Sequence, residues 1–137
     1  MAFFARSFFQ VQPWSRDIGH GRGQWSYLDS YFGGTDFAGQ EVVWNKGTPL
    51  WIMNYFGRII LPDLIDSHCA GTVIKAALTT IYSQESRFLG GMRYDHKYGL
   101  YVDESEGDTA HFRGREVIIV DGREAYELDY RGGLIRP

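Results

Sequence analysis

The chain has 137 residues, of which 44% are hydrophobic and 16% are aromatic, and its formal net charge is −3. This length and composition predict one folded domain over 1–137 and exclude a disordered chain, and the scattered Lys and Arg residues give no reason to expect a direct nucleic-acid partner. No apolar stretch reaches the roughly 18 residues of a membrane span, and the single cysteine, Cys69, cannot form an internal disulfide, so we predict a cytoplasmic protein with no membrane partner.

The first predicted elements are a short helix and three strands. Residues 2–11 favour a helix because Phe4 and Phe8 would share one face, and the three glycines of 15–24 favour a loop. Alternating apolar residues then predict strands over 25–32, 37–44 and 50–56. A tight hairpin turn at 45–47 would join the last two of these strands.

A second helix and three further strands are predicted in the remainder of the chain. Apolar residues recur at helical spacing at Ala70, Val73, Ile74, Ala77, Leu78 and Ile81. They predict a long helix with Asp66 or Ser67 as its N-cap. Strands are predicted over 100–103, 112–120 and 124–130. The order α-βββ-α-βββ predicts an α+β fold, in which a duplicated α-βββ unit forms an antiparallel six-stranded sheet or a partly closed barrel with the long helix packed on it.

The duplication is indicated by an internal repeat over about 25–60 and 100–135. When residues 37–60 are placed over 112–135 without a gap, eight of the 24 paired positions are identical. Unrelated stretches of ordinary composition would match at roughly one position in fifteen. Two such units would meet around a pseudo-twofold axis, where concave faces converge and a ligand site is expected.

Four segments resemble a known family. The run Asp-Ser-Tyr-Phe-Gly-Gly-Thr-Asp-Phe-Ala-Gly-Gln-Glu-Val-Val-Trp at 29–44 resembles a bacterial domain family, domain of unknown function 5680. Segments 51–55, 87–91 and 128–135 are similar to the same family, so the resemblance covers about 25–135. Some members are fused behind a helix-turn-helix, which implies a sensor or regulatory role. We expect no such module ahead of Trp25, and the resemblance supplies no catalytic residues.

Three carboxylates are candidate acid or base groups. Glu41 and Glu116 occupy matching positions among apolar strand residues, where burial would raise the carboxyl pKa into a useful range. The alternative is that each binds an Arg or a backbone turn. Asp129 faces Asn54 in the alignment, and divergence between the halves can mark a specialised site. Because no His matches another His and no nucleotide-binding motif occurs, we expect neither a metal nor a cofactor.

Aromatic and acidic residues also predict a ligand pocket between the halves. The predicted lining residues are Trp25, Tyr27, Asp29, Trp51, Tyr55, Asp103, Tyr126 and Tyr130. Tyr and Trp combine an apolar body with a polar tip, which suits a planar or amphipathic molecule. The same residues are equally typical of an ordinary core that packs against a helix.

These patterns favour a small-molecule binding domain with its ligand between the two halves. One alternative is a small cofactor-free enzyme of the isomerase, lyase or cyclase type, in which a carboxylate acts as base. Another is a protein-interaction module, with a possible homodimer formed through an exposed strand edge. The sequence leaves open whether the chain is an enzyme.

Overall fold

The computed structural model describes residues 16–84 and 91–136, which form one antiparallel sheet and one helix. The elements in chain order are β1 Arg16–Arg22, β2 Trp25–Gly33, β3 Phe37–Asn45, β4 Thr48–Ile59, α1 Ser67–Gln84, β5 Met92–His96, β6 Gly99–Asp108, β7 His111–Val120 and β8 Arg123–Leu134. Strands β1 to β4 form the N-terminal half and strands β5 to β8 form the C-terminal half. The helix connects the two halves in sequence.

The strand order is β1-β2-β3-β4-β8-β7-β6-β5, so β4 and β8 lie at the centre and β1 and β5 lie at the edges. Each half is a meander in which neighbouring strands pair through short turns. The halves join where β4 pairs with β8, and Tyr55 lies directly opposite Tyr130 in that pair. On either side of the β4–β8 pair, the strands of each half therefore follow in the same sequence from the centre to the edge.

The predicted six-stranded sheet or partly closed barrel is wrong, because the sheet has eight strands and remains open. The residues predicted as a loop at 15–24 contain β1, which pairs with β2 from Arg16↔Tyr31 to Arg22↔Trp25. An edge strand has only one neighbour and accepts glycines and polar residues that a central strand would not. The five-residue β5 is too short and polar to give a strand signal.

The predicted repeating unit of one helix and three strands is also wrong. Within the described residues each half has four strands, and α1 is the single helix, with 18 residues and a length of about 27 Å. The helix predicted over 2–11 lies outside the described residues.

The sequence of α1 explains both its start and its orientation. The backbone N–H of Cys69 donates to Asp66 Oδ1 at 2.7 Å, which confirms Asp66 as the N-cap. The predicted apolar stripe is buried at Ala70, Val73, Ile74, Ala77, Leu78 and Ile81. These side chains share one core with one face of the sheet. We call this the helix-side face, and we call the opposite face, which carries Asn54 and Phe56 of β4, the open face.

The central hairpin of each half has the same register. The turns both place two residues at positive φ, Lys46 (50°) with Gly47 (79°) and Asp121 (50°) with Gly122 (73°). Such turns suit the twist of two-residue hairpins and favour glycine. A register shift then follows in each hairpin, between Val43/Trp44 and between Ile118/Ile119. As a result, residues 75 positions apart occupy equivalent places in the two hairpins.

Candidate functional site

Buried acids lie on the helix-side face of the N-terminal half. Asp29 and Glu41 are direct cross-strand partners in the β2–β3 pair, and both side chains are buried. The Tyr55 hydroxyl donates a hydrogen bond to Asp29 Oδ1 at 2.6 Å. Strand alternation places all three side chains on one face, so two carboxyl groups and one phenol lie together in the core.

The C-terminal half contains the equivalent arrangement. Asp103 and Glu116 are cross-strand partners, and the Tyr130 hydroxyl donates to Asp103 Oδ1 at 2.8 Å. Burial raises the pKa of the Tyr130 hydroxyl above its usual value, and the charges of Asp103 and Glu116 add to this effect. The hydroxyl therefore stays protonated at neutral pH and acts as a donor.

Two glycines allow these tyrosines to lie across the sheet. Gly39 is the cross-strand partner of Tyr55, and a Cβ atom at this position would overlap the tyrosine hydroxyl. Gly114 has the same relation to Tyr130, and its Cβ would overlap the ring. Covering a glycine with an aromatic ring is a known way of stabilising a strand pair. Gly39 and Gly114, which match in the sequence alignment, therefore leave room for the tyrosine side chains to lie close to the backbone.

The aromatic residues predicted to line a pocket mostly form the core. Tyr27, Asp29, Trp51, Tyr55, Asp103, Tyr126 and Tyr130 all lie on the helix-side face, buried or half-buried. Trp51 donates from Nε1 to the carbonyl of Thr109 at 3.0 Å and stacks on Phe112 with ring centroids 5.5 Å apart. Trp25 differs from the set because it is exposed. Their role in ligand binding stays a prediction.

The structure separates the third candidate acid from the other two. Glu41 and Glu116 are each only 1% exposed on the helix-side face. Asp129 is exposed on the open face, where its cross-strand neighbours are Phe56 and Arg115. A single reaction centre cannot contain Asp129 together with the two glutamates, because the sheet lies between them.

The open face carries a basin where the two halves meet. Its volume is about 790 Å³. Open-face side chains from β4, β6, β7 and β8 line it: Asn54, Phe56, Glu104, Glu106, Arg113, Arg115, Asp129 and Arg131. A second basin of about 440 Å³ lies over β2, β3 and β4 and shares Asn54 with the first. The two basins lie side by side over six strands, a span of roughly 24 Å at the usual strand spacing, and we refer to the pair as the trough.

The two ends of this trough differ in chemistry. The end on the N-terminal half is lined by uncharged side chains: Leu28, Ser30, Phe32, Ala38, Gln40, Val42, Trp44 and Asn54. Phe32 and Phe56 are 59% and 51% exposed, which is unusual for Phe in a folded domain. The end on the C-terminal half carries three arginines and three acids. Apolar and charged groups are therefore adjacent at the junction of the halves.

An ion-pair network holds part of the charged end. Arg115 donates to Glu124 at 3.1 and 2.6 Å and to Glu127 at 2.7 Å, and Arg58 also donates to Glu127 at 2.7 Å. Hydrogen bonds from Arg115 and then Arg58 lower the pKa of Glu127. Elsewhere in the basin, Arg113 pairs with Glu106. These arginines already have acidic partners within the protein.

Among the site residues predicted from the sequence, Asp129 alone lies on the open face. Phe56, Arg113 and Arg131 alternate with residues that face the core, which is the ordinary pattern of a solvated sheet surface and does not by itself indicate a site. The available signal was the predicted repeat, in which Phe56 is aligned with Arg131 and Asn54 with Asp129. Differences of charge at equivalent positions indicate specialisation more directly than residue type alone.

The described part of the chain gives no indication of a metal centre or a membrane helix. In residues 16–84 and 91–136, no three His, Cys, Asp or Glu side chains are grouped as a metal ion would require. Over the same ranges, no helix has the length and apolar character needed to cross a bilayer.

A family model described as "Domain of unknown function (DUF5680)" matches residues 29–135. The chain belongs to this family. The match confirms the resemblance indicated by the sequence motifs. The DUF5680 region includes both Tyr–Asp hydrogen bonds and every lining residue of the two basins except Leu28. Strand β1 lies outside it. No curated protein and no solved structure matches the chain. The function of this DUF5680 domain must therefore be inferred from its geometry.

Proposed function

We propose that this domain binds a small molecule on the open face of the sheet, at the junction of its two halves. The observation that carries the proposal is the basin of about 790 Å³ against β4 and β8. Ligand sites commonly have volumes of 300–1,000 Å³ and combine apolar surface with a few polar groups. Here the exposed ring of Phe56 lies beside the charged groups of Asp129 and Arg131.

The open face supports this proposal better than the helix-side face does. The predicted helix-side acids and most of the aromatic residues are buried against one another and against α1. A ligand at Glu41 or Glu116 would have to displace this packing, and loss of several buried side chains costs about 1.5–3 kcal/mol for each. For the same reason the geometry lends less support to an enzyme that uses these two glutamates.

We also propose that the two halves arose from an internal repeat and that the open face later became specialised. The matching turns, register shifts and Tyr–Asp hydrogen bonds support the repeat. The loss of matching charges on the open face supports the specialisation. A ligand that contacts both halves would then experience a different surface from each.

The proposal is tested by thermal-shift screening of a metabolite library with two matched variants. Phe56→Ser removes an exposed ring from the larger basin, and Leu134→Ser removes a similarly exposed apolar side chain of β8 that lies outside both basins. Compounds that bind as proposed raise Tm of the natural chain and of Leu134→Ser, and raise it less for Phe56→Ser. The proposal fails if no compound raises Tm, or if Phe56→Ser leaves every shift unchanged.

The protein-interaction alternative and the homodimer remain proposals of lesser support. Both are suggested by the two edge strands, β1 and β5, because each pairs with a neighbouring strand on one side in the described structure and could pair with another chain on the other side. Light scattering across a concentration series distinguishes them, because a dimer doubles the measured mass. The proposed cytoplasmic location rests on the single cysteine, Cys69.

A further inference from the structure

We propose that the open-face basin recognises a zwitterion of the amino-acid class that carries an apolar or aromatic side chain. In this arrangement Arg131 binds the carboxylate, Asp129 binds the ammonium group, and Phe56 packs against the side chain. The inference rests on the proposed function and specifies the chemistry of its ligand.

The positions of these residues define a compact recognition surface. Asp129 and Arg131 are two residues apart in β8, so their side chains leave the same face about 7 Å apart along the strand. Phe56 is the cross-strand partner of Asp129, and Asn54 is the partner of Arg131. One anion, one cation, one aromatic ring and one amide thus surround the line where the halves join.

Asp129 and Arg131 are available in a way that the neighbouring arginines, Arg113 and Arg115, are not. Arg115 is held by Glu124 and Glu127, as described above. Arg131, in contrast, has a 3.4 Å contact with His111 Nε2. Within residues 16–84 and 91–136, no hydrogen bond or ion pair involves the Asp129 carboxylate. An external ligand can therefore engage both groups without breaking an internal ion pair.

The adjacent opposite charges determine which ligand class fits. A dicarboxylate bound at Arg131 would place its second charge against Asp129, and a diamine bound at Asp129 would meet Arg131. Like charges at this distance oppose binding and reject the wrong partner. A zwitterion satisfies both groups, and its charge-assisted hydrogen bonds are stronger than neutral ones.

The asymmetry of the two halves orients the ligand. The positions equivalent to Asp129 and Arg131 in the N-terminal half are Asn54 and Phe56, which carry no charge. The charged head of the ligand is therefore fixed on β8, and its apolar part extends toward β4 and the uncharged end of the trough. Phe56 supplies the first exposed ring on that path, and Phe32 lies beyond Ala38 in the same cross-strand row.

The test measures binding of the twenty standard L-amino acids by NMR, followed by the N-acetyl and amide derivatives of the tightest binder. The N-acetyl form lacks the ammonium group, and the amide form lacks the carboxylate. We expect Asp129→Asn to weaken binding of the amino acid and its amide by about tenfold, with no effect on the N-acetyl form. Arg131→Gln should weaken the amino acid and its N-acetyl form by a similar factor, with no effect on the amide.

A matched control is Arg93→Gln, which removes an exposed arginine of β5 outside the basin and should leave all affinities unchanged. The inference is overturned if no amino acid binds, or if the two variants do not discriminate between the derivatives. If library compounds bind in a Phe56-dependent manner while amino acids do not, this inference fails and the proposed function stands. If neither set binds, both fail.

Discussion

The two faces of the sheet differ in how closely the N-terminal and C-terminal halves agree. On the helix-side face the pairs that build the Tyr–Asp clusters are identical: Asp29/Asp103, Gly39/Gly114, Glu41/Glu116 and Tyr55/Tyr130. Other helix-side pairs, such as Met53/Leu128, differ in residue type but remain apolar and buried. On the open face three equivalent pairs differ in charge, Gln40/Arg115, Asn54/Asp129 and Phe56/Arg131, whereas the buried pair Val42/Val117 is identical. The difference shows that packing fixes one surface and leaves the other free to vary.

The physical reason lies in the contacts that each face must satisfy. A tyrosine of the buried face needs an acceptor for its hydroxyl and a glycine beneath its ring, so several residues constrain one another. An exposed side chain on the open face meets water and can change at little cost in stability. Agreement between the halves therefore reflects packing, and disagreement marks the surface on which side chains can change without loss of stability.

The largest expected effect comes from filling the space beneath a tyrosine. Gly114→Val places a branched side chain where the Tyr130 ring lies, and should lower the free energy of unfolding by about 3 kcal/mol or more. Gly39→Val should have a similar effect through Tyr55. Urea denaturation measures both, and Gly34→Ala is the control because its Cβ would meet open space. A loss below about 1 kcal/mol in one half alone would contradict the equivalence of the halves.

A smaller effect is expected when only the hydroxyl is removed. Tyr55→Phe and Tyr130→Phe each delete a buried donor and leave a buried acceptor on Asp29 or Asp103, at a cost of about 1–3 kcal/mol. Chemical denaturation should give similar losses for the two, and Tyr94→Phe, in a half-buried residue of β5, should lose less. Strongly unequal losses would show that one cluster has a role the other lacks.

Alkaline pH provides a second measurement on Tyr130. The pKa of Tyr130 is raised in the folded state, so its contribution to stability is complete below the unfolded value of 10.0 and is lost as pH rises above it. Tyr130→Phe should therefore show a weaker decline of stability above about pH 10. An unchanged slope would mean that Tyr130 ionises as easily in the fold as in water.

Acid pH tests the ion-pair network of Arg58, Arg115 and Glu127. The pKa of Glu127 is lowered in the folded state, so its contribution to stability is present above the unfolded value of 4.5 and is lost as pH falls through the folded value. Glu127→Gln should remove about 1 kcal/mol at pH 7 and flatten the decline on acidification. Circular dichroism melts from pH 7 to 3 measure this, with Glu104→Gln as an exposed control. An undiminished slope in Glu127→Gln would exclude the network as its source.

The smallest effect on stability is expected from making the open face symmetric. Asp129→Asn together with Arg131→Phe copies the N-terminal half onto the C-terminal half, and should change the free energy of unfolding by no more than about 0.5 kcal/mol. Thermal melts measure the change, and Asp103→Asn provides the contrast because that acid is buried. A large loss from the double variant would show that the open face also contributes to folding.

The sequence predicted the hairpins and the helix because their signals are local. Gly47, Gly122 and the Asp66 cap each act within a few residues, and the six predicted strands all occur. The sequence did not predict β1, because an edge strand with glycines differs little from a loop. It left the choice between a sheet and a partly closed barrel open, because closure depends on whether distant edges can meet.

Of the side chains that line the open-face basin, the sequence-based candidates include Asp129. Alternation correctly grouped Asp29 with Tyr27 and separated them from Ser30, but it cannot show which face a helix covers. The predicted aromatic set therefore fitted a pocket and an ordinary core equally well, and most of it packs in the core. The basin depends on how β4 and β8 meet, and a pairing between residues 75 positions apart leaves no local signal.

The pairing of β4 with β8 also has a consequence for folding kinetics. Every other strand pair in the described sheet joins neighbours in sequence, so each meander can form early through short loop closures. The central seam must bring Tyr55 to Tyr130 across the helix and is the step with the highest contact order. Assembly of the seam should limit the refolding rate, and a molecule bound across it would slow the unfolding of the docked halves.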